Sequence, residues 1–310
     1  MSLKPSNANT LFKPPSGGDL TIQSNDGVDF QVHSVILELA SWIFKDMIAV
    51  ETGVIKLSGN AKTISLILKF IYPNEKTPTI TSLDMTSDCL QMAQKYDMSG
   101  VIKNIDEQIA SNALPHKLLS SDPMRVYQLA ARFKLDNTKV AAAPLVSLKP
   151  LDLRSSYEIM NLVRKYSPYS LVRMIGLQGS RTKIISDVLF NFNQAPMMPE
   201  ANWSHYECDR CRKVKQELDS RAHAPPSWVF AWAQAVYNRL LTTSLEDAGE
   251  LFEPTALLAY NTTLADSFCG VCRSDILMSA ARQLQFDQWV KEVKKVLKER
   301  LATLELLYTL

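Results

Sequence analysis

Two cysteine pairs of identical spacing, Cys208-x-x-Cys211 and Cys269-x-x-Cys272, are the residues in this chain best suited to chemistry. Such a pair can serve a DNA-binding dizinc cluster, a dithiol redox centre or half of a structural metal site. The dizinc cluster needs a further cysteine where Leu218 stands, and none follows Cys211 before Cys269, so its required context is missing. The redox centre needs the pair at the start of a helix that follows a strand, where the helix dipole favours a thiolate. No strand pattern precedes Cys208, although Arg210, Arg212 and Lys213 would favour ionisation. Taken together, the two pairs supply all four tetrahedral ligands of a structural zinc site.

The 57 residues between Cys211 and Cys269 exceed the usual gap between such pairs, which is roughly 15–20. Loop-closure cost rises slowly with length, so a helical hairpin that returns the chain to its start can bridge them. The expectation is one structural zinc on Cys208, Cys211, Cys269 and Cys272, with His205 as a spare ligand. The alternative is two unrelated pairs of reduced thiols. The fifth cysteine, Cys89, shares a helical face with Met85 and Ala93 and reads as a core thiol.

Composition narrows the function classes. Lys+Arg 34 against Asp+Glu 32 leaves a net charge of +2, which argues against a dedicated nucleic-acid binder. No apolar run approaches the ~20 residues of a membrane span. The first residues lack the apolar segment of a secretory signal, so an intracellular setting, cytoplasm or nucleus, is expected. Ten glycines leave few places for a phosphate-cradling loop, and no nucleophile elbow or metalloprotease helix is present. The chain reads as non-enzymatic, with no catalytic and no cofactor-binding residues.

The elements that must position these residues follow from periodicity. Leu20 and Ile22 alternate with Thr21 and Gln23; after Asn25-Asp26-Gly27, Val28, Phe30 and Val32 repeat the pattern. Two strands joined by a tight turn are expected. Val35, Ile36, Leu39 and Ala40 form a helical stripe, and Ser41 can cap a second helix carrying Trp42, Ile43 and Met47. A third short strand lies in residues 53–59. Asn60 caps a helix with Ile64, Ile67, Leu68 and Ile71 inward, ended by Pro73. Amphipathic helices follow at Met85–Tyr96 and Val101–Ile109, which completes an α+β pattern. Phe30, Val32, Leu39, Phe70, Ile71 and Tyr96 are expected to share its core.

Further on, Leu90–Met98 (LQMAQKYDM) recurs as Tyr127–Leu135 (YQLAARFKL), which suggests further helix pairs of one kind. Pro196 and Pro199 interrupt the helical pattern and mark a boundary. Ser227 can cap a helix bearing Trp228, Trp232, Ala235, Val236 and Leu240, and Ser244 with Asp247 fits a loosened capping box. From Ile276 to Leu310 one apolar stripe runs through Phe286, Val290, Val293, Leu297, Leu301, Leu304 and Tyr308, as in a long packing helix. The expected division is a flexible leader 1–17, an α+β domain 18–110, an all-α extension 111–195 and a helical module 196–310 with the paired cysteines.

Asp19-Leu20-Thr21-Ile22, Phe30-Gln31-Val32-His33, Leu37 to Ser41, Leu68 to Pro73 and Cys89 to Met98 together resemble the BTB (POZ) domain. The resemblance covers roughly Gly18 to Ala110. Ile71-Tyr72-Pro73 is similar to the fungal, especially basidiomycete, branch. The module with paired cysteines and a tryptophan-bearing helix also resembles the C-terminal regions of basidiomycete BTB proteins. This resemblance implies a structural role for His33 and self-association through the BTB domain. It also implies work as an adaptor or scaffold for a protein partner, with transcriptional regulation or cullin-3 ligase adaptation as the alternatives. Two positions depart from the family. Ser34 stands where a cation often pairs with the Asp, and Ala49-x-Glu51 is a short version of the cullin-binding element.

Overall fold

A computed structural model describes residues 11–51, 53–73, 75–111, 117–198, 207–217, 225–259 and 269–309. The chain divides into two compact units, Met1–Ala143 and Pro144–Leu310.

In the first unit β1 (Leu20–Gln23) is the central strand of a three-stranded sheet. β2 (Asp29–Val32) pairs antiparallel with it, Leu20 opposite Val32 and Ile22 opposite Phe30. Gly27, at φ +81°, supplies the left-handed position of the connecting turn. Helices α1 (Ser34–Ala40) and α2 (Trp42–Val50) follow, and then β3 (Ile55–Lys56) returns parallel to β1. Ile22, Phe30, Val32 and Ile55 are buried on one face of the sheet, and α3 (Ala61–Ile71), α4 (Leu83–Lys95) and α5 (Ser99–Ala110) follow, packed on one another. Both expected caps form. Ser41 Oγ accepts from Phe44 N–H at 3.1 Å, and Asn60 Oδ1 accepts from Thr63 N–H at 2.9 Å. The α+β class expected from the strand and helix order is the one found.

The chain continues as α6 (Leu118–Ser121), α7 (Pro123–Phe133) and α8 (Asp136–Ser147), the last running across the division between the units. The sequence echo has a physical basis here. Helix α4 ends with Asp97 in the left-handed region at φ 49°, and α7 ends with Lys134 at φ 56°. In each, the next residue sends its N–H back to an alanine carbonyl, Met98 to Ala93 at 2.7 Å and Leu135 to Ala130 at 2.9 Å. That bond closes the helix end, and the buried Met98 or Leu135 begins the next helix. A cation caps the aromatic in both, Lys95 over Tyr96 and Arg132 over Phe133. The buried Asp106 of α5 then accepts from the N–H groups of Asn137 and Thr138, so one helix pair anchors the start of α8.

Three expectations for this unit change. Leu39 is 84% exposed, because only Leu37 of the short helix α1 reaches the core. Phe70 and Ile71 are half-buried, and Tyr72, one residue past α3, takes the core position. The leader is also not free throughout. Phe12 is buried, its N–H donating to Ser65 Oγ at 2.6 Å and its ring edge-on to Tyr72 at 5.3 Å.

The second unit has no strand among its described residues. It comprises α9 (Ser156–Lys165), α10 (Pro168–Leu189), α11 (Asp209–Glu217), α12 (Ser227–Leu240), a 3-10 turn (Gly249–Phe252), α13 (Ala256–Ala259), α14 (Gly270–Met278), α15 (Ala280–Ala302) and α16 (Glu305–Tyr308). Its core joins Ile185, Val188 and Leu189 of α10 to Trp228 and Trp232 of α12 and to Phe286, Trp289 and Val293 of α15. The indoles cross at 5.1–6.1 Å, with Trp289 between Trp228 and Trp232. Trp232 Nε1 donates to Leu251 O at 2.8 Å and Trp289 Nε1 to Pro196 O at 2.9 Å, so both indole donors are satisfied.

Here too the structure differs from the sequence reading. The division into two units falls at Ala143/Pro144, and the buried Met197 belongs to the same core as α10, with Pro196 O accepting from Trp289 Nε1. Proline stops a helix, but the apolar residues around it still pack. Ser227 is the first residue of α12, and Pro226 holds the cap position. The long C-terminal stripe is broken at Ser279, whose extended backbone separates α14 from α15. Ser244 and Asp247 do form their reciprocal bonds, at 2.8 and 3.0 Å. One residue carried no sequence signal. Arg181, buried on α10, donates to the carbonyls of Leu240 and Thr243 at 3.0–3.2 Å and closes the C-terminal end of α12.

Lys134 holds a left-handed backbone that glycine adopts without steric cost. Lys134→Gly should therefore stabilise the protein by about 0.5–1 kcal/mol in urea unfolding followed by circular dichroism.

Candidate metal centre and interaction face

Each cysteine pair sits at the start of a helix. Cys208 immediately precedes α11, and its carbonyl accepts from Arg212 N–H at 3.1 Å; Cys211 lies in the first turn. Cys269 is the N-cap of α14, and its carbonyl accepts from Arg273 N–H at 3.3 Å; Cys272 lies in the first turn. The two helix starts therefore meet head to head, and their positive dipole ends share one cluster of sulfurs. All four Sγ atoms lie within 4.8 Å of one another, with Cys208 and Cys269 at 3.6 Å. Cys208 N–H donates to Cys272 Sγ at 3.1 Å, which ties the two knuckles together directly. Cys208 and Cys272 are buried and belong to the tryptophan core, whereas Cys211 and Cys269 are half-buried at its edge.

This arrangement fits a tetrahedral thiolate-bound ion. A Zn–S bond of about 2.3 Å sets sulfurs ~3.8 Å apart, close to the 3.6 Å between Cys208 and Cys269. Four thiolates would close the coordination sphere and leave no position for water or substrate, so the ion would hold structure and supply no catalysis. The thiols differ in environment. Burial pushes the Cys272 thiol up, and it raises Cys211 to about 11, with the neighbouring thiol of Cys269 adding to the rise. Burial opposes ionisation at Cys269 too, but the backbone N–H of Cys272 and the thiols of Cys211 and Cys208 outweigh it and bring Cys269 down to about 7. A redox dithiol would also use a helix start, yet here two pairs converge on one another in a unit with no strand among its described residues.

His205, the expected spare ligand, lies outside the described residues. Arg210 and Lys213 are exposed, and Arg212 donates to Glu207 O at 3.1 Å and pairs with Asp209 at 3.5 Å. Glu207, buried directly before Cys208, is a neighbour that the sequence pattern does not single out. Cys89 is fully buried, and burial raises its thiol to about 12, so it is an inert core residue as expected.

In the first unit, His33 Nδ1 lies 3.0 Å from Tyr72 Oη, and its backbone N–H donates to the same oxygen at 3.0 Å. The histidine joins the sheet's end to the end of α3, a structural role. Asp19 accepts from Ser34 Oγ at 2.6 Å and from Ser34 N–H at 2.8 Å, and these bonds hold its exposed carboxyl below the usual range. Both oxygens are thus engaged by a neutral residue. Beside them α1 and α2 expose Val35 (58%), Leu39 (84%), Trp42 (60%) and Val50 (83%). Trp42 Nε1 donates to Asp97 Oδ2, which fixes the indole at the surface.

Residues 8–113 match the family model of the BTB/POZ domain. This part of the chain is a BTB/POZ domain. The family is a protein–protein interaction module without enzymatic function of its own, and it places the exposed α1–α2 surface in an interaction domain. No curated protein matches the chain. No helix among the described residues is long and apolar enough to cross a membrane.

In metal-free, reduced protein Cys269 should be the first of the four thiols modified by iodoacetamide at pH 7, because its thiolate is the most populated. Mass spectrometry of partially alkylated protein reads this directly; first modification of buried Cys272 would contradict the assigned environments.

Proposed function

We propose that this protein is a non-enzymatic adaptor or scaffold that self-associates through its BTB domain. The observation that carries the reading is the exposed apolar row Val35, Leu39, Trp42 and Val50 on α1 and α2. Burying a Val or Leu side chain in an interface stabilises it by about 1.5–3 kcal/mol. A second copy would cover this row isologously, each hairpin meeting its equivalent. Phe12, a leader residue that could have joined such a face, is committed to its own domain's core. In the second unit α9 exposes Ile159, Met160 and Val163, apolar area suited to a protein partner. For cullin-3 the candidate contact is Ala49-x-Glu51 at the end of α2, with Glu51 in the exposed C-cap position. A transcription-associated pocket would have to use an Asp19 already bound by Ser34.

The second unit, in this reading, is stapled by one zinc ion held by Cys208, Cys211, Cys269 and Cys272. The support is the convergence of four sulfurs within 4.8 Å of one another. The metal's role is to fix the starts of α11 and α14 over the tryptophan core.

Sedimentation of the full chain should give a dimer at micromolar concentration. Leu39→Asp should weaken association at least about tenfold without changing the melting of the fold, since the side chain is exposed in the monomer. A wild-type chain that remains monomeric at high concentration would sink the self-association reading. Elemental analysis of protein purified without chelator or column metal should find one zinc per chain, and Cys272→Ser should lose it and lower the second unit's melting temperature. Metal near zero with four freely titratable thiols would falsify the site.

A further inference from the structure

We propose that the cysteine cluster is also an oxidation site: hydroperoxides join Cys269 to Cys208, so that the α11–α14 staple survives metal loss as a disulfide. The proposal rests on the four-thiol reading of the site. It follows from three features of the geometry. Cys269 is half-buried at the edge of the core, and so is more open to a small polar oxidant than the buried Cys208 and Cys272. Cys208, buried, places its sulfur 3.6 Å from that of Cys269, in van der Waals contact. The two residues stand 61 positions apart, at the starts of α11 and α14, so a bridge between them crosses the cluster; Cys211 also meets Cys269 from across it, and a Cys211–Cys269 bridge in its place would overturn the choice of Cys208.

The step balances with one equivalent of hydrogen peroxide. Cys269 Sγ attacks one peroxide oxygen; an S–O bond forms, the O–O bond breaks, and the departing oxygen leaves as water. Cys208 Sγ then attacks the sulfenic sulfur; the S–S bond forms, the S–O bond breaks, and the hydroxyl leaves as a second water. The sulfurs lose two electrons and the peroxide gains them. Forming the bond requires the sulfurs to close from 3.6 Å to about 2.05 Å, a movement within reach of side-chain rotation. Cys211 and Cys272 alone are too few thiolates for a tetrahedral site, so a bound ion is released.

The choice of partner decides the consequence. A bridge within Cys208-x-x-Cys211 or Cys269-x-x-Cys272 closes a very short loop and places no constraint between the two helices. The Cys208–Cys269 bridge closes a long loop and restricts the unfolded chain far more. It also keeps the starts of α11 and α14 joined over the tryptophan core, where Cys208 already sits. Oxidation would thus exchange one cross-link for another and leave the second unit folded.

The experiment uses the full chain with its metal content measured first. One equivalent of hydrogen peroxide is added, metal release is followed with a chromophoric chelator, and free thiols are alkylated before digestion. Trypsin cuts at Arg210 and separates Cys208 from Cys211, so tandem mass spectrometry can place each bridge. The expected result is a Cys208–Cys269 bridge, one ion released, and a melting temperature within a few degrees of the metal-loaded form. The reduced, metal-stripped protein should melt lower. Bridges confined to the knuckles, or Cys269 oxidised to sulfinic acid with Cys208 still free, would overturn the proposal. In Cys208→Ser protein, Cys269 should accumulate a sulfenic acid that dimedone traps. Should that variant fail to fold, the wild-type map decides. A starting protein without zinc that still forms the Cys208–Cys269 bridge would overturn the zinc reading alone.

Discussion

Four cysteine sulfurs within 4.8 Å bind together segments of the second unit that are far apart in sequence. Without strands among its described residues, that unit has no ladder of hydrogen bonds to hold α11 and α14 in register. Helices of nine residues are marginal by themselves in water. Their placement depends on contact with the tryptophan core and on the cluster at their starts. Burial of Cys208 and Cys272 against Trp228, Trp232 and Trp289 makes the two constraints one, since the ligands are also core side chains. Loss of the thiols would therefore open the core as well as the site.

Electrostatics favour that arrangement. Two helix starts bring their N–H groups to the same sulfurs: Cys208 N–H donates to Cys272 Sγ, and the N–H of Cys272 acts on Cys269. A cluster of thiolates, or the net negative charge of a tetrathiolate metal site, is what such a place accommodates. At the other end of α12 the sign reverses. Arg181 brings a buried cation to the carbonyls of Leu240 and Thr243 and satisfies acceptors that burial cuts off from water. Burial lowers the pKa of that guanidinium, and the nearby Tyr308 and Glu246 act in the opposite direction.

The first unit solves a different problem. Its sheet is small, so helix ends carry much of the specification. The left-handed turns at Asp97 and Lys134, each followed by a buried apolar residue, turn the chain from one helix into the next. The first of them also fixes α2, because Ser41 Oγ donates to Tyr96 O and Phe44 stacks on Tyr96 at 4.9 Å. The same contact that buries Phe44 leaves Leu39, Trp42 and Val50 facing outward. The exposed face is thus a consequence of how the hairpin is anchored.

The sequence by itself determined the local features. Period-two alternation placed β1 and β2, Ser41 and Asn60 marked helix starts, and the paired cysteines named one four-thiol set. The repeated nine-residue segment announced two identical helix endings. These signals are local because they come from backbone sterics, capping and side-chain chemistry within a few residues. Only the tertiary structure decided which apolar residues are buried. Leu39 and Phe12 exchanged their expected roles, since a short helix buries only the side it rests on and an apolar leader residue fills any groove it reaches. Likewise the chain around Pro196 packs into the core of α10 through Met197, Ser279 broke a continuous apolar stripe, and Arg181 found its acceptors 59 and 62 residues away. Periodicity records which side chains are apolar; which neighbours cover them depends on the long-range packing that only the folded chain supplies.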